Sequence, residues 1–276
     1  MGEESLRNYI RSLVKDGVVV AFSGGVDSTL VLKIAKEESD RVNGRVMACT
    51  FTTFLSPSGD IKIAKKLVDE FNVSLTEAYI DQTENEKVLI NDPKRCYYCK
   101  KTIFSKALEI AENNNMKYVI DGTNLSDLGV YRPGLEALRE LNIISPLAVL
   151  KFEKKDVRSL AEKLNISVSK RPSKPCLATR FPYKKVLPVD KFNMVEKGEE
   201  ILSDYGFKVN RIRLYDDVTR IEIPKEDFIN FMNMRENIIK DLKAIGFKYI
   251  NLDMEGFRSG SMDEVLNGWQ KVFRRY

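Results

Sequence analysis

The 276-residue sequence contains no histidine. Imidazole is therefore excluded as a general base, as a nucleophile's partner and as a metal ligand, and any metal must be held by Cys, carboxylates or carbonyls. Long apolar runs are also missing. Stretches such as Val18-Val19-Val20-Ala21-Phe22 are far too short to cross a bilayer. The opening residues Met1-Gly2-Glu3-Glu4-Ser5-Leu6-Arg7 are acidic and mixed and do not read as a secretory signal. Gly2 is not followed by the Ser or Thr that a myristoylation motif places at position 6, where Leu6 stands. The expected location is the cytoplasm, with no membrane partner. Internal repeats and low-complexity tracts are absent. Against this, 43% hydrophobic and 31% charged residues give an ordinary globular composition, long enough for one large domain or a large and a small one. The net charge of +5 is too mild to indicate a nucleic-acid partner.

Strand and helix signals alternate over the first two thirds. Apolar runs at 17–22, 45–51, 74–80 and 117–120 read as strands, and Ile143-Ile144 as a short fifth. Helical spacing follows from about Asp27, over 61–71, over 103–111 and over 157–164. The alternation predicts an α/β fold: a Rossmann-like, mostly parallel sheet with helices on both faces. Four prolines in 171–188 mark an extended loop. Beyond it, a helix over 191–204, two strands about Asp216-Asp217, a helix over 227–244 and a strand ending near Asp253 describe a small α+β unit. The expected division is 1–184 for the nucleotide domain and 185–276 for a small domain for substrate binding or oligomerisation.

Between the first strand and its helix stands Ser23-Gly24-Gly25-Val26-Asp27-Ser28. Two glycines let the backbone turn tightly and bring N–H groups close to a ligand. Ser23 and Ser28 add hydroxyls, the helix start favours a phosphate, and Asp27 suits Mg²⁺ on leaving phosphates. The plain alternative is a Gly-rich turn with a helix cap. A Walker A sequence is absent, which weakens a P-loop kinase or GTPase reading. The six-residue string resembles the PP-loop of N-type ATP pyrophosphatases. That resemblance implies cleavage of ATP to AMP and pyrophosphate, with AMP passed to a substrate oxygen.

Among the cysteines, Cys49 reads as an apolar filler of a buried strand. Cys96 and Cys99 form a Cys-Tyr-Tyr-Cys string just before a helix. A structural zinc site would need a fourth ligand from elsewhere; a redox pair and a pair of core cysteines are further readings. The remaining reading is a [4Fe–4S] cluster on Cys96, Cys99 and Cys176, three thiolates that leave one iron open to carry an extra sulfide. Cys176 lies among Lys170, Arg171, Lys174, Arg180, Lys184 and Lys185, with no acid between Ser169 and Pro188. Such a field favours the thiolate and attracts an anionic substrate; the alternative is a solvated basic loop.

A narrower resemblance rests on strings that stand in order: Asp121-Gly122-Thr123-Asn124, Tyr131-Arg132-Pro133-Gly134, Pro175-Cys176-Leu177-Ala178-Thr179-Arg180, Arg211-Ile212-Arg213 and the run Leu252-Asp253-Met254-Glu255-Gly256-Phe257-Arg258-Ser259-Gly260-Ser261. Together they are similar to the LarE family of ATP-dependent sulfur transferases, over nearly the whole chain. The resemblance implies that ATP adenylates a carboxylate of pyridinium-3,5-biscarboxylate mononucleotide and that a sulfur nucleophile displaces AMP to give a thiocarboxylate, in nickel-pincer nucleotide synthesis. It implies that Cys176 is the residue that gives up its sulfur in members without the CxxC pair, and that members with the pair use a cluster supplied with sulfide. It implies Ser23, Gly24, Gly25, Asp27 and Ser28 around ATP and Mg²⁺, Arg211 and Arg213 on the substrate phosphate, and a homo-oligomer. Arg180 and Glu200 are further candidates at the site, with loop neutralisation and a solvated helix face as their plain readings. Asp253, Glu255 and Arg258 are expected to build a C-terminal turn or a subunit contact. One departure stands out. The family shows Ile-Pro-Tyr-Gly after the arginine, where this chain has Phe181-Pro182-Tyr183-Lys184; loss of that glycine predicts a changed loop conformation.

Two rivals remain. A PP-loop tRNA thiolase also suits a CxxC pair with a distant third cysteine, but an appended RNA-binding domain is absent. A nucleotide-binding sensor would hold ATP without releasing pyrophosphate.

Overall fold

The computed structural model describes residues 2–128, 133–171, 175–258 and 260–266. Tyr131, Arg132, Pro172, Lys174 and Ser259 of the strings above lie outside the described residues. Contacts divide the chain into two units. One comprises Met1–Val88 and Lys94–Lys174, the other Leu89–Pro93 and Pro175–Tyr276.

In the first unit α1 (Glu3–Val14) leads into β1 (Val18–Ala21), α2 (Val26–Val42), β2 (Val46–Thr52), α3 (Asp60–Phe71) and β3 (Leu75–Tyr79). One turn, α4 (Glu86–Leu89), whose last residue belongs to the second unit, precedes α5 (Arg95–Asn113) and β4 (Tyr118–Ile120). Three short helices, α6 (Leu125–Leu128), α7 (Gly134–Glu140) and α8 (Pro146–Val149), then lead to α9 (Lys154–Lys163). The four strands pair in parallel in the order β3-β2-β1-β4.

Alternation along the strands builds a core on each face of the sheet. Val18, Val20 and Ala48 join Leu6, Ile10, Leu30, Ile34 and Leu160 of α1, α2 and α9. Val19, Met47 and Cys49 join Phe104, Ala107 and Leu138 of α5 and α7. The expected α/β architecture is thus realised. Helices α2 and α3 stop at Asn43 and Asn72, both left-handed, where asparagine is tolerated better than most side chains.

Three elements differ from the sequence expectation. The helix expected at 103–111 begins at Arg95, so the CxxC string forms its opening turns instead of preceding it. The fifth strand is reduced to a single parallel bridge between Ile120 and Ile144, because Pro146 starts α8 two residues later. The opening segment, unassigned from sequence, is α1. Its Arg7 joins Glu3, Glu37 and Glu38, while Arg11 and Arg41 also reach Glu38.

The second unit pairs β5 (Arg211–Tyr215) with β6 (Val218–Glu222) antiparallel, and β6 with β7 (Tyr249–Leu252) in parallel. Helix α10 (Phe192–Asp204) precedes the sheet, and α11 (Phe228–Ala244) makes the crossover that a parallel pair requires. Gly198 lets α10 close on the sheet: a Cβ there would meet Ile212 at 2.6 Å and Phe247 at 2.7 Å. The segment Leu89–Pro93 is part of this unit. Asn91, fully buried, donates from its amide nitrogen to the carbonyls of Ala178, Phe181 and Pro182 at 3.3, 2.9 and 2.9 Å. The backbone N–H of Lys184 donates to Asn91 O. Lys184 itself has φ 60°. The lysine thus adopts a left-handed conformation, at a cost of about 1 kcal/mol that a glycine would not bear.

Glu38 is the buried centre of the α1–α2 ion cluster, with no exposed side-chain surface. Glu38→Ala should destabilise the protein by about 3 kcal/mol, because it strands buried guanidinium charge. Urea unfolding followed by circular dichroism measures this, and Glu38→Gln should lose less.

Candidate active site

The strand order β3-β2-β1-β4 reverses its winding between β1 and β4. Crevices for ligands in open parallel sheets form at the carboxyl ends of strands flanking such a reversal. Two loops meet there: residues 22–25 after β1 and residues 121–124 after β4.

The first loop is shaped by its glycines and held by its serines. Gly24 has φ 69°, and Gly25 is extended ahead of α2. Ser23 Oγ lies 3.1 Å from Ser28 Oγ, and Gly25 N donates weakly to Ser23 Oγ at 3.4 Å. Ser28 Oγ and Thr29 Oγ1 donate to Gly25 O at 3.2 and 2.8 Å. Arg171 ties the loop to α3, donating to Gly24 O and pairing with Asp60 at 2.6 Å.

The second loop presses on the first. A Cβ on Gly122 would lie 2.6 Å from Ser28 N and 2.9 Å from Asp27 C, so only glycine permits this approach. Asp121 braces the loop, accepting from Thr123 N at 3.1 Å, Thr123 Oγ1 at 2.5 Å and Ser145 Oγ at 2.6 Å. Asn124 is buried and donates from Nδ2 to Asp27 Oδ1 at 3.1 Å. The other oxygen of Asp27 meets Lys154 Nζ at 2.5 Å. Lys154 opens α9, which is set by a reciprocal capping box of Glu153 and Asp156. Sequence reasoning did not single out Lys154, whose signal lay in its place at the start of an amphipathic helix, and it read Arg171 only as part of the basic field around Cys176. The crevice thus gathers Ser23, Gly24, Gly25, Asp27 and Ser28 with a fixed ammonium. It offers backbone donors, a helix N-terminus and one carboxylate, which together fit polyphosphate with a hard cation.

The cysteines fall into both units. Cys49 is buried, and burial pushes its thiol up to about 12, so it is no nucleophile. Cys96, exposed, and Cys99, half-buried, stand three residues apart on the opening turns of α5 and so share a face. Two thiols in that setting suit two corners of an iron–sulfur group. Among the described residues no group of three or more Cys, Asp or Glu stands assembled as a metal site.

Cys176 belongs to the second unit and caps a 3-10 turn, Leu177–Arg180. Arg180 is the clamp of that turn. Its side chain is 1% exposed and makes a bidentate pair with Glu199 at 2.9 and 2.8 Å. It also donates to Pro175 O, Cys176 O and Thr179 Oγ1. Glu199 in turn accepts from Ile212 N at 3.1 Å, which fixes the turn to β5. Glu200, singled out from sequence, is exposed one position further along α10.

Arg213 is buried, with its donors directed to both Glu222 oxygens, Ser261 Oγ and Thr179 O. Arg211 is different. It is half-buried, donates to Asn210 O, and lies over the Phe257 ring at 5.5 Å. Among the described residues it has no carboxylate within ion-pair distance. Burial, then the neighbouring charge of Arg180, lowers its guanidinium from the ordinary arginine value. A cation in that position is improved by an anion. Asp253 and Glu255 meet Arg258 and Arg220 around the turn after β7.

A Gly-Gly turn without Walker A, at the switch point of a parallel sheet, defines a nucleotide-binding α/β protein of the PP-loop class. The NAD synthase family model matches residues 2–103. Pyridinium-3,5-bisthiocarboxylic acid mononucleotide synthase of Lactiplantibacillus plantarum is 35% identical over 249 residues, which are 90% of this chain and 90% of that protein. An uncharacterized protein of Methanocaldococcus jannaschii is 35% identical over 260 residues, 92% of this chain and 96% of the relative. Another, from Synechocystis sp., is 32% identical over 266 residues, 95% and 97% of the two chains. The chain belongs to the LarE family of PP-loop enzymes.

Gly122→Ala should weaken ATP binding by about tenfold or more, since forcing the loop off Ser28 misplaces the site by the fraction of an ångström that positioning cannot spare. Gly59→Ala, where a Cβ would meet nothing within 4 Å, is the control. Calorimetric titration with ATP compares them.

Proposed function

We propose that the protein is an ATP-dependent sulfurtransferase that converts a carboxylate of pyridinium-3,5-biscarboxylate mononucleotide into a thiocarboxylate, for nickel-pincer nucleotide synthesis. The observation that carries this reading is the pairing of a PP-loop crevice, closed by Gly122 on Ser28, with family membership over 90% of the chain.

In the first step a substrate carboxylate oxygen attacks the α-phosphorus of ATP and pyrophosphate leaves. The backbone donors of Gly24 and Gly25 and the hydroxyls of Ser23 and Ser28 hold the phosphates. Mg²⁺, held by Asp27, would offset charge on the leaving pyrophosphate. Asn124 orients the Asp27 carboxylate, and Lys154 supplies a second positive charge beside it. In the second step a sulfur nucleophile attacks the acyl carbon and AMP leaves. Arg211 grips the substrate phosphate, where its uncompensated guanidinium supports the assignment. Arg213, spent on Glu222 and Ser261, fixes β5 beneath it, and Arg180 positions the Cys176 turn.

The sulfur originates at the cysteines. A [4Fe–4S] cluster on Cys96, Cys99 and Cys176, when bound, would carry an exchangeable sulfide at its open iron. The other source is the thiol of Cys176 itself. Its attack forms a thioester; removal of its Cα proton then breaks the Cβ–S bond, leaving the thiocarboxylate on the substrate and dehydroalanine at 176. Assembly as a homo-oligomer and a cytoplasmic setting complete the reading. It is compatible with the absence, among the described residues, of any helix long and apolar enough to cross a membrane.

Incubation with ATP, Mg²⁺ and pyridinium-3,5-biscarboxylate mononucleotide should release pyrophosphate and yield sulfur-for-oxygen exchange by mass spectrometry. Pyrophosphate release without exchange, or exchange only on tRNA, would overturn the proposal. Lys154→Met should slow pyrophosphate release about a hundredfold, the size expected for removing one preorganised charge. Anaerobic protein should hold about four irons per chain, lost in Cys99→Ala, if the cluster is the source. Iron-free protein that ends with dehydroalanine at 176 assigns the sulfur to Cys176.

A further inference from the structure

Gln82 lies in the turn after β3, outside every string that identified the family. Its side chain is completely buried. Its amide nitrogen, Nε2, donates to the carbonyl oxygen of Cys99 at 3.2 Å and to Cys99 Sγ at 3.4 Å. The carbonyl fixes the orientation of the amide, since a flipped group would set two oxygens against each other. The amide oxygen, Oε1, is buried with no hydrogen-bond partner. A buried acceptor left unmade costs about 1–3 kcal/mol. An apolar side chain of similar size would fill the space without that cost, so stability alone does not account for glutamine here.

The turn that presents Gln82 is itself held. Asp81 accepts from Thr83 N at 2.9 Å and from Thr83 Oγ1 at 2.6 Å, which keeps its carboxyl below the ordinary aspartate value. The carbonyl of Gln82 accepts from Asn85 N at 3.2 Å. Asp81, Glu84, Glu86 and Lys87 line the cavity that Gln82 and Thr102 share, so its lining carries more negative than positive charge. A negative surround makes an electron-rich sulfur at Cys99 harder to hold and harder to reduce. An N–H donor aimed at the sulfur acts in the opposite direction.

We propose that Gln82 is a positioning residue for the Cys99 sulfur. Its amide fixes the thiolate on the helix and withdraws electron density from it through an N–H···S hydrogen bond, which raises the reduction potential of a cluster ligated there and slows its loss. The proposal rests on the reading of Cys99 as a cluster ligand.

The test uses the full chain, reconstituted anaerobically with iron and sulfide, as wild type, Gln82→Leu, Gln82→Glu and Thr102→Val. Spectroelectrochemistry gives the midpoint potential, and iron release to a chelator gives the rate of cluster loss. Gln82→Leu should shift the potential to a more negative value and lose iron about tenfold faster, the size expected for removing an outer-sphere partner. Gln82→Glu, which replaces the donor by an acceptor, should shift it further. Thr102→Val should match wild type. Thermal melts of the iron-free proteins should show Gln82→Leu no less stable than wild type, which separates a role at the sulfur from a role in folding. A Gln82→Leu protein that holds iron at an unchanged potential overturns the proposal and leaves the cluster in place. A wild type that binds no iron overturns the cluster reading and the proposal with it.

Discussion

The approach of Gly122 to the first turn of α2 is the constraint on which the crevice depends. A backbone at that distance has no room for any Cβ. Because the loop lies there, Asn124 reaches Asp27, and because Asp121 ties Thr123 and Ser145 together, the loop stays there. Lys154 then meets the remaining oxygen of Asp27 from α9. A carboxylate held from both sides is already oriented, and preorganisation of that kind is where enzymes find much of their rate.

The second unit applies a similar logic with side chains. Arg180 gathers three acceptors of the 175–179 turn and a carboxylate of α10. Arg213 does the same between Thr179, Glu222 and Ser261. Both guanidiniums are buried, and both are matched by carboxylates, so their charge is neutralised locally. Arg211 is near both of these pairs and, among the described residues, has no carboxylate within ion-pair distance. Its guanidinium, with no ion-pair partner among those residues, retains capacity for an external anion.

Much of this was legible in the chain. The loop 23–28 is contiguous, so its chemistry can be read without the fold, and the strand periods announced the parallel sheet. What escaped depends on distance or on phase. Lys154 and Asp27 are 127 positions apart, and no local pattern joins them. Glu199 and Glu200 are adjacent in sequence, and only the rotation of α10 decides that the first faces Arg180 and the second solvent. Gln82 looks like any polar turn residue until burial and the neighbouring sulfur are known. The helix carrying Cys96 and Cys99 began earlier than its apolar spacing indicated, because Lys94 and Arg95 give no capping signature. At 184 a lysine adopts a left-handed conformation, which glycine takes without strain.

The short excursion of Leu89–Pro93 has a bearing on how such a protein can be inherited. These five residues complete the second unit, although they are encoded ahead of more than half of the first unit's helices. Asn91 supplies amide donors to three carbonyls of the 178–182 segment, of which Ala178 O also accepts from Phe181 N. A gene fragment starting at 175 would therefore lack the Asn91 contacts. The two units are interleaved in the message itself, so a single crossover cannot separate them cleanly. A segment of five residues thus constrains the evolutionary portability of the whole C-terminal third.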